Sequence, residues 1–200
     1  MNSVWGAAAN DVIAVGDGGA VLHYDGSSWS SMTSGTGSDL YSVWGTSGSN
    51  VFAVGASGIV IHYDGSDCSA WSSPTGDYLY GIWGVSGSDF YAVGGNGVIC
   101  HWNGSGWSTT NFWGNRLMGI TGFAGTPYFT AGDQGRVLRC DSGTWAQIAP
   151  TGRSTNQHLY GIFGTSAANI YAMGGNGNIL HFNGTSWNNE SIGGNTTFYR

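Results

Sequence analysis

The chain has 200 residues and a formal net charge of −6, with five arginines, no lysine and only 8% charged residues. Glycine (37) and tryptophan (10) are abundant beside a single glutamate, Glu190. The scarcity of helix formers, with β-branched and aromatic residues set between glycine-rich turns, indicates an all-β fold. The acidic balance without a basic cluster argues against a nucleic-acid partner, and no apolar run is long enough to span a membrane.

From its start the chain repeats itself. Asn2 opens NSVWGAAANDVIAVGDGGAVLHYDG, and Tyr41 opens YSVWGTSGSNVFAVGASGIVIHYDG. Further copies start at Tyr80, Met118 and Tyr160, the copy from Met118 being the most divergent. The reference positions Trp5, Trp44, Trp83, Thr121 and Phe163 are spaced 39, 39, 38 and 42 residues apart. A fixed period of this length marks a repeat architecture. The units fall at about 1–39, 40–78, 79–116, 117–158 and 159–200 within one domain.

Each unit predicts four short strands. In the second, strand a is Tyr41 to Gly45, strand b Asn50 to Gly55, strand c Ile59 to Asp64 and strand d about Ala70 to Ser73. A G-x-x-G turn joins b to c, starting at Gly16, Gly55, Gly94, Gly132 and Gly174. Its glycines are expected to supply the positive φ of a tight hairpin. Strand b carries a small residue at one inward position: Ala14, Ala53, Ala92, Thr130 or Ala172. Strands a and c are apolar on both faces, so each sheet must lie between other sheets. Four-stranded antiparallel meanders repeated five times and packed face to face make a β-propeller.

Thr197 to Arg200 aligns with Asp39 to Ser42, the start of another strand a. Two arrangements fit this: a ring closed at five, or part of a longer array that would pair with itself or with neighbouring repeats. The first residues already belong to a repeat, which reads as a mature or excised piece.

Three cysteines leave at least one thiol outside an intramolecular disulfide. Cys100 and Cys140 replace core residues of other units and read as buried, whereas Cys68 falls in a turn. His23, His62, His101 and His181 align, with Arg139 in the fourth unit. Strand c lies too far from the axis for these rings to meet at a metal. They are read as structural, wedged between blades with a nitrogen bonded to backbone. Asp25, Asp64, Asn103, Asp141 and Asn183 sit in c–d turns, and Asp11, Asn50, Asp89 and Asn169 open strand b; the Asp/Asn exchange fits turn residues bonding their own backbone. No carboxylate pair stands out as an acid/base couple, so no enzyme, cofactor or metal is expected. Four Asn-x-Ser/Thr triplets, at Asn103, Asn183, Asn189 and Asn195, match the glycosylation pattern, as expected by chance in so Asn- and Ser-rich a chain.

Trp29, Trp71, Trp107, Trp145 and Trp187 close the c–d segments and read as core packing. The d–a loops vary most, and in a meander they share a face with the b–c turns. That face gathers Asn96, Asp77, Tyr78, Phe112, Trp113, Asn115 and Arg116 as candidate ligand-binding residues. Phe112 and Trp113 are adjacent loop aromatics beside amides and an arginine. They either stack on a sugar ring or cap an inter-blade groove.

The order L-Y-x-V-W-G, then V-x-A-V-G-x-x-G-x-I-x-H-Y-D-G, then S-x-W resembles tectonin-type and related Asp-box-like propeller repeats over nearly the whole chain. The c–d segment lacks the full Asp-box, and five units depart from the six blades common in tectonins; five-bladed tachylectin-type lectins are similar in blade number but have longer repeats. The resemblance implies glycan binding in grooves between blades, with several weak sites adding avidity. The leading expectation is a secreted carbohydrate-binding lectin. The alternative is a structural or protein-interaction module of a larger extracellular assembly.

Overall fold

The structure, a computed structural model, describes residues 1–112, 114–125, 127–148 and 157–199. It is an all-β propeller fold of five four-stranded antiparallel sheets. The first blade contains β1 (Ser3–Ala8), β2 (Asp11–Val15), β3 (Val21–Tyr24) and β4 (Trp29–Met32). The second contains β5 (Leu40–Ser47), β6 (Asn50–Gly55), β7 (Val60–Tyr63) and β8 (Cys68–Trp71). The third contains β9 (Leu79–Ser86), β10 (Asp89–Gly94), β11 (Val98–Trp102) and β12 (Trp107–Asn111). The fourth contains β13 (Leu117–Gly122), β14 (Tyr128–Gly132), β15 (Val137–Asp141) and β16 (Thr144–Gln147). The fifth contains β17 (Leu159–Ser166), β18 (Asn169–Gly174), β19 (Ile179–Phe182) and β20 (Trp187–Asn189). Strand order within every sheet follows chain order, as short hairpin connections require.

By compactness the chain divides into two units, Met1–Phe112 with three blades and Trp113–Arg200 with two. Within each unit the cores lie between successive blades, which explains strands that are apolar on both faces. In the first unit Ile13, Val15 and Val21 pack on Leu40, Val43 and Val51, and Phe52, Val54 and Val60 pack on Leu79, Ile82 and Phe90. In the second, Phe129 and Val137 pack on Leu159, Ile170 and Leu180. The small residue of strand b is buried in every blade, from Ala14 to Ala172. Thr130 keeps its buried hydroxyl satisfied by donating to Gly119 O at 2.7 Å.

The predicted strand d of the second unit lies two residues too late, because Cys68 already pairs with Tyr63. Cys68 is therefore a half-buried strand residue rather than a turn thiol. Cys100 and Cys140 are buried, as expected.

The b–c turn divides its demands differently from the expectation. Its first glycine is extended, with φ −169° at Gly55. What requires glycine there is space: a Cβ at Gly55 would stand 1.9 Å from Asp39 O, and one at Gly94 would stand 1.9 Å from Tyr78 O. Positive φ falls on the third and fourth positions instead, such as Ser57 (53°) with Gly58 (74°) and Asn96 (52°) with Gly97 (72°).

The aligned histidines are structural in their contacts, but their partners are side chains of their own blade. Nε2 of His23, His62, His101 and His181 lies 2.8 Å from Asp11, Asn50, Asp89 and Asn169 respectively. The rings of His62, His101 and His181 stack on Phe52, Tyr91 and Tyr171, their direct cross-strand neighbours. The residues that open strand b thus bond imidazole rather than their own backbone. Four of the five c–d residues do bond their own backbone: Asp64 Oδ1 accepts from Ser66 N and Asp67 N at 2.9 and 3.0 Å, and Asp25, Asn103 and Asn183 repeat the pattern, whereas Asp141 ends β15 and pairs with Arg139. Among the described residues no three His, Cys, Asp or Glu side chains gather as metal ligands would, and no helix is long and apolar enough to cross a membrane.

Candidate functional site

Three places put distinctive side chains at the surface. The first is the b–c turn face of the first unit. Leu40 pairs with Gly55 and Ser42 with Val54, so Tyr41 is the extra residue of a β-bulge. Tyr80 and Tyr160 are bulged in the same way. A bulge re-aims the side chain it carries, and Tyr41 meets Tyr80 and Tyr78 at ring distances of 5.6 and 6.1 Å. Burial, and then the Asp39 carboxylate, hold the Tyr41 hydroxyl above its ordinary pKa. Asn96 Nδ2 donates to Asp77 Oδ1 at 2.7 Å, tying the loop before β9 to the turn after β10. Phe112 N donates to Gly97 O at 2.9 Å. Asp77, Tyr78, Asn96 and Phe112 therefore gather around one turn, as the topology predicts. Trp113 lies outside the described residues.

The second place is the corresponding turn of the fourth blade. Asp133, at the position held by Ala56 and Gly95 in the second and third blades, is buried. Arg116 clasps it through Nε at 2.9 Å, Nη2 at 3.2 Å and backbone N at 3.1 Å, and His158 Nδ1 lies 2.7 Å away. Burial pushes the Asp133 carboxyl up. The hydrogen bonds and charge of Arg116 and the bond from His158 outweigh that, leaving it below the usual carboxylate range. The Asn115 amide, oriented to satisfy both ends, donates to Gly114 O at 2.8 Å and accepts from Arg136 Nη2 at 3.1 Å. The predicted pair Asn115 and Arg116 thus belongs to this second cluster rather than to the turn around Asn96.

The third place is a groove of about 600 Å³ at the outer edge of the second and third blades, lined chiefly by Trp71, Trp102, Trp107 and Pro74 with Ser72 and Ser105. It exists because one tryptophan is out of register. Trp29, Trp107 and Trp187 start their strands and pair with Tyr24, Trp102 and Phe182. In the second blade Cys68 takes that place, and the indole moves to Trp71, which pairs with Val60 at the strand's far end. From there Trp71 reaches Trp102 of the next blade edge-on, ring centroids 5.0 Å apart, and Trp102 meets Trp107 at 5.5 Å. Phe52 and Phe90, both fully buried, back Trp71 and Trp107. Trp187 is buried in the core as expected, whereas Trp71 and Trp107 are half-buried against the core and Trp29 is exposed. The signal was present in the sequence, since Asp64 precedes its tryptophan by seven residues and Asp25 precedes Trp29 by four.

No protein-family model matches the chain, and no curated protein does. Solved propeller structures do. YCF48 bound to D1 peptide is 18% identical at a TM-score of 0.74, covering 100% of this chain and 70% of that one. YCF48 from Cyanidioschyzon merolae is 16% identical at 0.67 with the same coverage. The WD40 repeats of RRP9 are 11% identical at 0.76, over 94% of this chain and 63% of theirs. At these identities the likeness shows the propeller fold alone.

Proposed function

We propose that this chain is a non-catalytic recognition module that binds a peptide segment of a partner protein, and that the Trp71–Trp102–Trp107 groove grips an apolar side chain of that segment, proline above all. The off-register Trp71 is the observation that carries this reading. It spends a large indole at the rim of an open groove where the repeat would have placed it elsewhere. The groove offers three aromatic walls and two hydroxyls, the composition that docks proline-rich and apolar segments. None of the residues lining it titrates near neutral pH, so it can hold a ligand but offers no general acid or base. The structural likeness to a propeller described as bound to a peptide supports a peptide occupant. Burying one proline or leucine side chain there contributes about 1.5–3 kcal/mol.

The tectonin resemblance and the glycan binding it implies gain no support from these neighbours. The walls are also mutually tilted, by 60° and 56°, and form a trough rather than the single flat platform a sugar ring stacks on. An extracellular location, suggested by the charge-poor Ser-, Thr- and Asn-rich composition, belongs to the same proposal.

The test is a screen of proline-containing and scrambled peptides against the whole chain, read by tryptophan fluorescence, with a glycan array run on the same sample. We expect peptide hits that weaken about tenfold or more in Trp107→Ala and in Trp71→Ala. Hits indifferent to both substitutions, or binding confined to glycans, would overturn the assignment.

A further inference from the structure

Within both units an aromatic ring of one blade lies on a strand-a glycine of the next. Trp5 covers Gly45, where an added Cβ would stand 3.0 Å from the indole, and Phe123 covers Gly164 at the same distance. The residues around such a glycine are buried by the neighbouring blade. Gly45 and Gly84 are buried, and Val43, two residues before Gly45, is only 6% exposed. Trp44, on the opposite face of the second blade, is 9% exposed and reaches Phe90 of the third at 6.0 Å.

Two faces of the chain lack this cover, and they are of opposite kinds. On the first blade the glycine face stays open: Gly6 is exposed and Val4 is 64% exposed. The atoms nearest to a Cβ on Gly6 belong to its own blade, to Val12, Ala8 and Asp11. Val12 and Leu22 share that face and are half-buried, whereas their counterparts Val51 and Ile61 are buried. On the fifth blade the aromatic face stays open. Phe163, the counterpart of Trp44, is 61% exposed. Tyr171, paired with it, and Met173 are half-buried where their counterparts Phe52 and Val54 are buried. Gly6 is an open seat, and Phe163 is an exposed ring of the kind that fills one.

The last residues mark where a following blade enters. Phe198 N donates to Gly174 O at 3.0 Å, as Leu40 N, at the start of the second blade, does to Gly16 O. Tyr199 stacks on Tyr160 at 5.4 Å, as Tyr80 of the third blade meets Tyr41 of the second at 5.6 Å.

We propose that this chain associates head to tail, the fifth blade of one copy stacking on the first blade of the next, with Phe163 seated on Gly6. A second copy is the occupant because the chain carries one open face of each kind, and their match is the one its own blades make. Such a contact is heterologous, so it joins copies into a closed ring or an open chain. Phe198 and Tyr199 overlay Met1 and Asn2 in the repeat, so they lift as the next copy enters. Tyr199 is 72% exposed, and little packing is lost when it leaves. The surface is separate from the indole groove and does not rest on the peptide reading.

The experiment measures the mass of the whole chain by light scattering over about a hundredfold range of concentration, since association follows mass action. The mass should rise above that of one chain as concentration rises. Phe163→Ser and Gly6→Val should each weaken association by about tenfold or more, the valine by filling the seat. Val4→Glu, which sets a charge in the same apolar face without altering a glycine, should do likewise. Circular dichroism checks that the variants fold. Mixing Phe163→Ser with Gly6→Val is the decisive arm: the intact Phe163 of one docks on the intact Gly6 of the other, giving a pair that grows no further. A wild-type mass of one chain at every concentration would overturn the inference. So would association indifferent to all three substitutions, or a mixture that stays as single chains.

Discussion

Asn50 stands between His62 and Thr46: its Oδ1 lies 2.8 Å from His62 Nε2, and its Nδ2 donates to Thr46 Oγ1 at 2.7 Å. Asn169 repeats the arrangement with His181 and Thr165, both at 2.8 Å. Where the repeat has aspartate instead, Asp11 or Asp89, the threonine position holds Ala7 or Val85. The exchange has a physical reason, since an amide needs an acceptor for its NH2 and a carboxylate does not.

The Asn50–His62 pair predicts a titration. Burial holds the His62 pKa below its usual 6.5, against a smaller upward pull from Asp64. A histidine with a lowered folded pKa binds more protons unfolded, so its contribution is present above pH 6.5 and is lost as pH falls toward the folded value. Asn50→Asp would set a carboxylate on the imidazole and raise that pKa by about one unit or more. If the raised value passes 6.5, the contribution from this residue changes sign, appearing below 6.5 and fading as pH rises. An NMR titration of His62 in the two proteins measures both values, and an unmoved pKa would refute the account.

Two glycines separate the effect of space from that of conformation. Gly94 is extended, but a Cβ there would sit 1.9 Å from Tyr78 O, a backbone atom that cannot swing aside. Gly94→Ala should cost about 3 kcal/mol or more. Gly76 has open space where its Cβ would go, so Gly76→Ala should fall within about 0.5 kcal/mol of the wild type. Urea unfolding compares the pair.

Asp133→Asn tests the buried carboxylate. The depressed folded pKa means that the aspartate stabilises the native state above the carboxylate range and loses that contribution as pH falls through it. The substitution should cost about 1–2 kcal/mol at pH 7, a figure discounted for the half-exposed Arg116 and His158. The difference should shrink steadily below pH 4. Parallel thermal melts at pH 7 and pH 3 give the answer, and a constant difference would mean that charge is not the cause.

Burial and then the Asp77 charge push the Cys100 thiol up to about 12, and burial and then Asp64 push Cys68 up as well. The thiolate is the reactive species. In the native chain only half-buried Cys68 should react with a thiol reagent at pH 8, and slowly, whereas unfolding in urea should release all three. Rapid native labelling of Cys100 would contradict its burial.

Much of the architecture could be read from the chain because each unit repeats its glycine turn, its small strand-b residue and its doubly apolar strands. Asn96, Asp77, Tyr78 and Phe112 could be gathered by topology alone. The bulge that re-aims Tyr41 could not, since it depends on which backbone bonds skip a residue. The indole groove escaped for a simpler reason: Trp71 was aligned by residue type, while Cys68 occupies the place that spacing assigns.

The recurrent polar bonds have a consequence for how such a chain grows. Histidine meets its Asx partner across 12 residues, inside one unit in each of the four blades that have the pair. A unit copied in tandem therefore carries these bonds with it as a cassette, and only its apolar faces need to suit new neighbours. Trp71 with Trp102 spans two successive units. Duplication elsewhere in the array leaves that contact intact, whereas a copy inserted at its junction would part the residues that make it. Copy number can drift at the plain junctions, and selection for binding would be felt at this one.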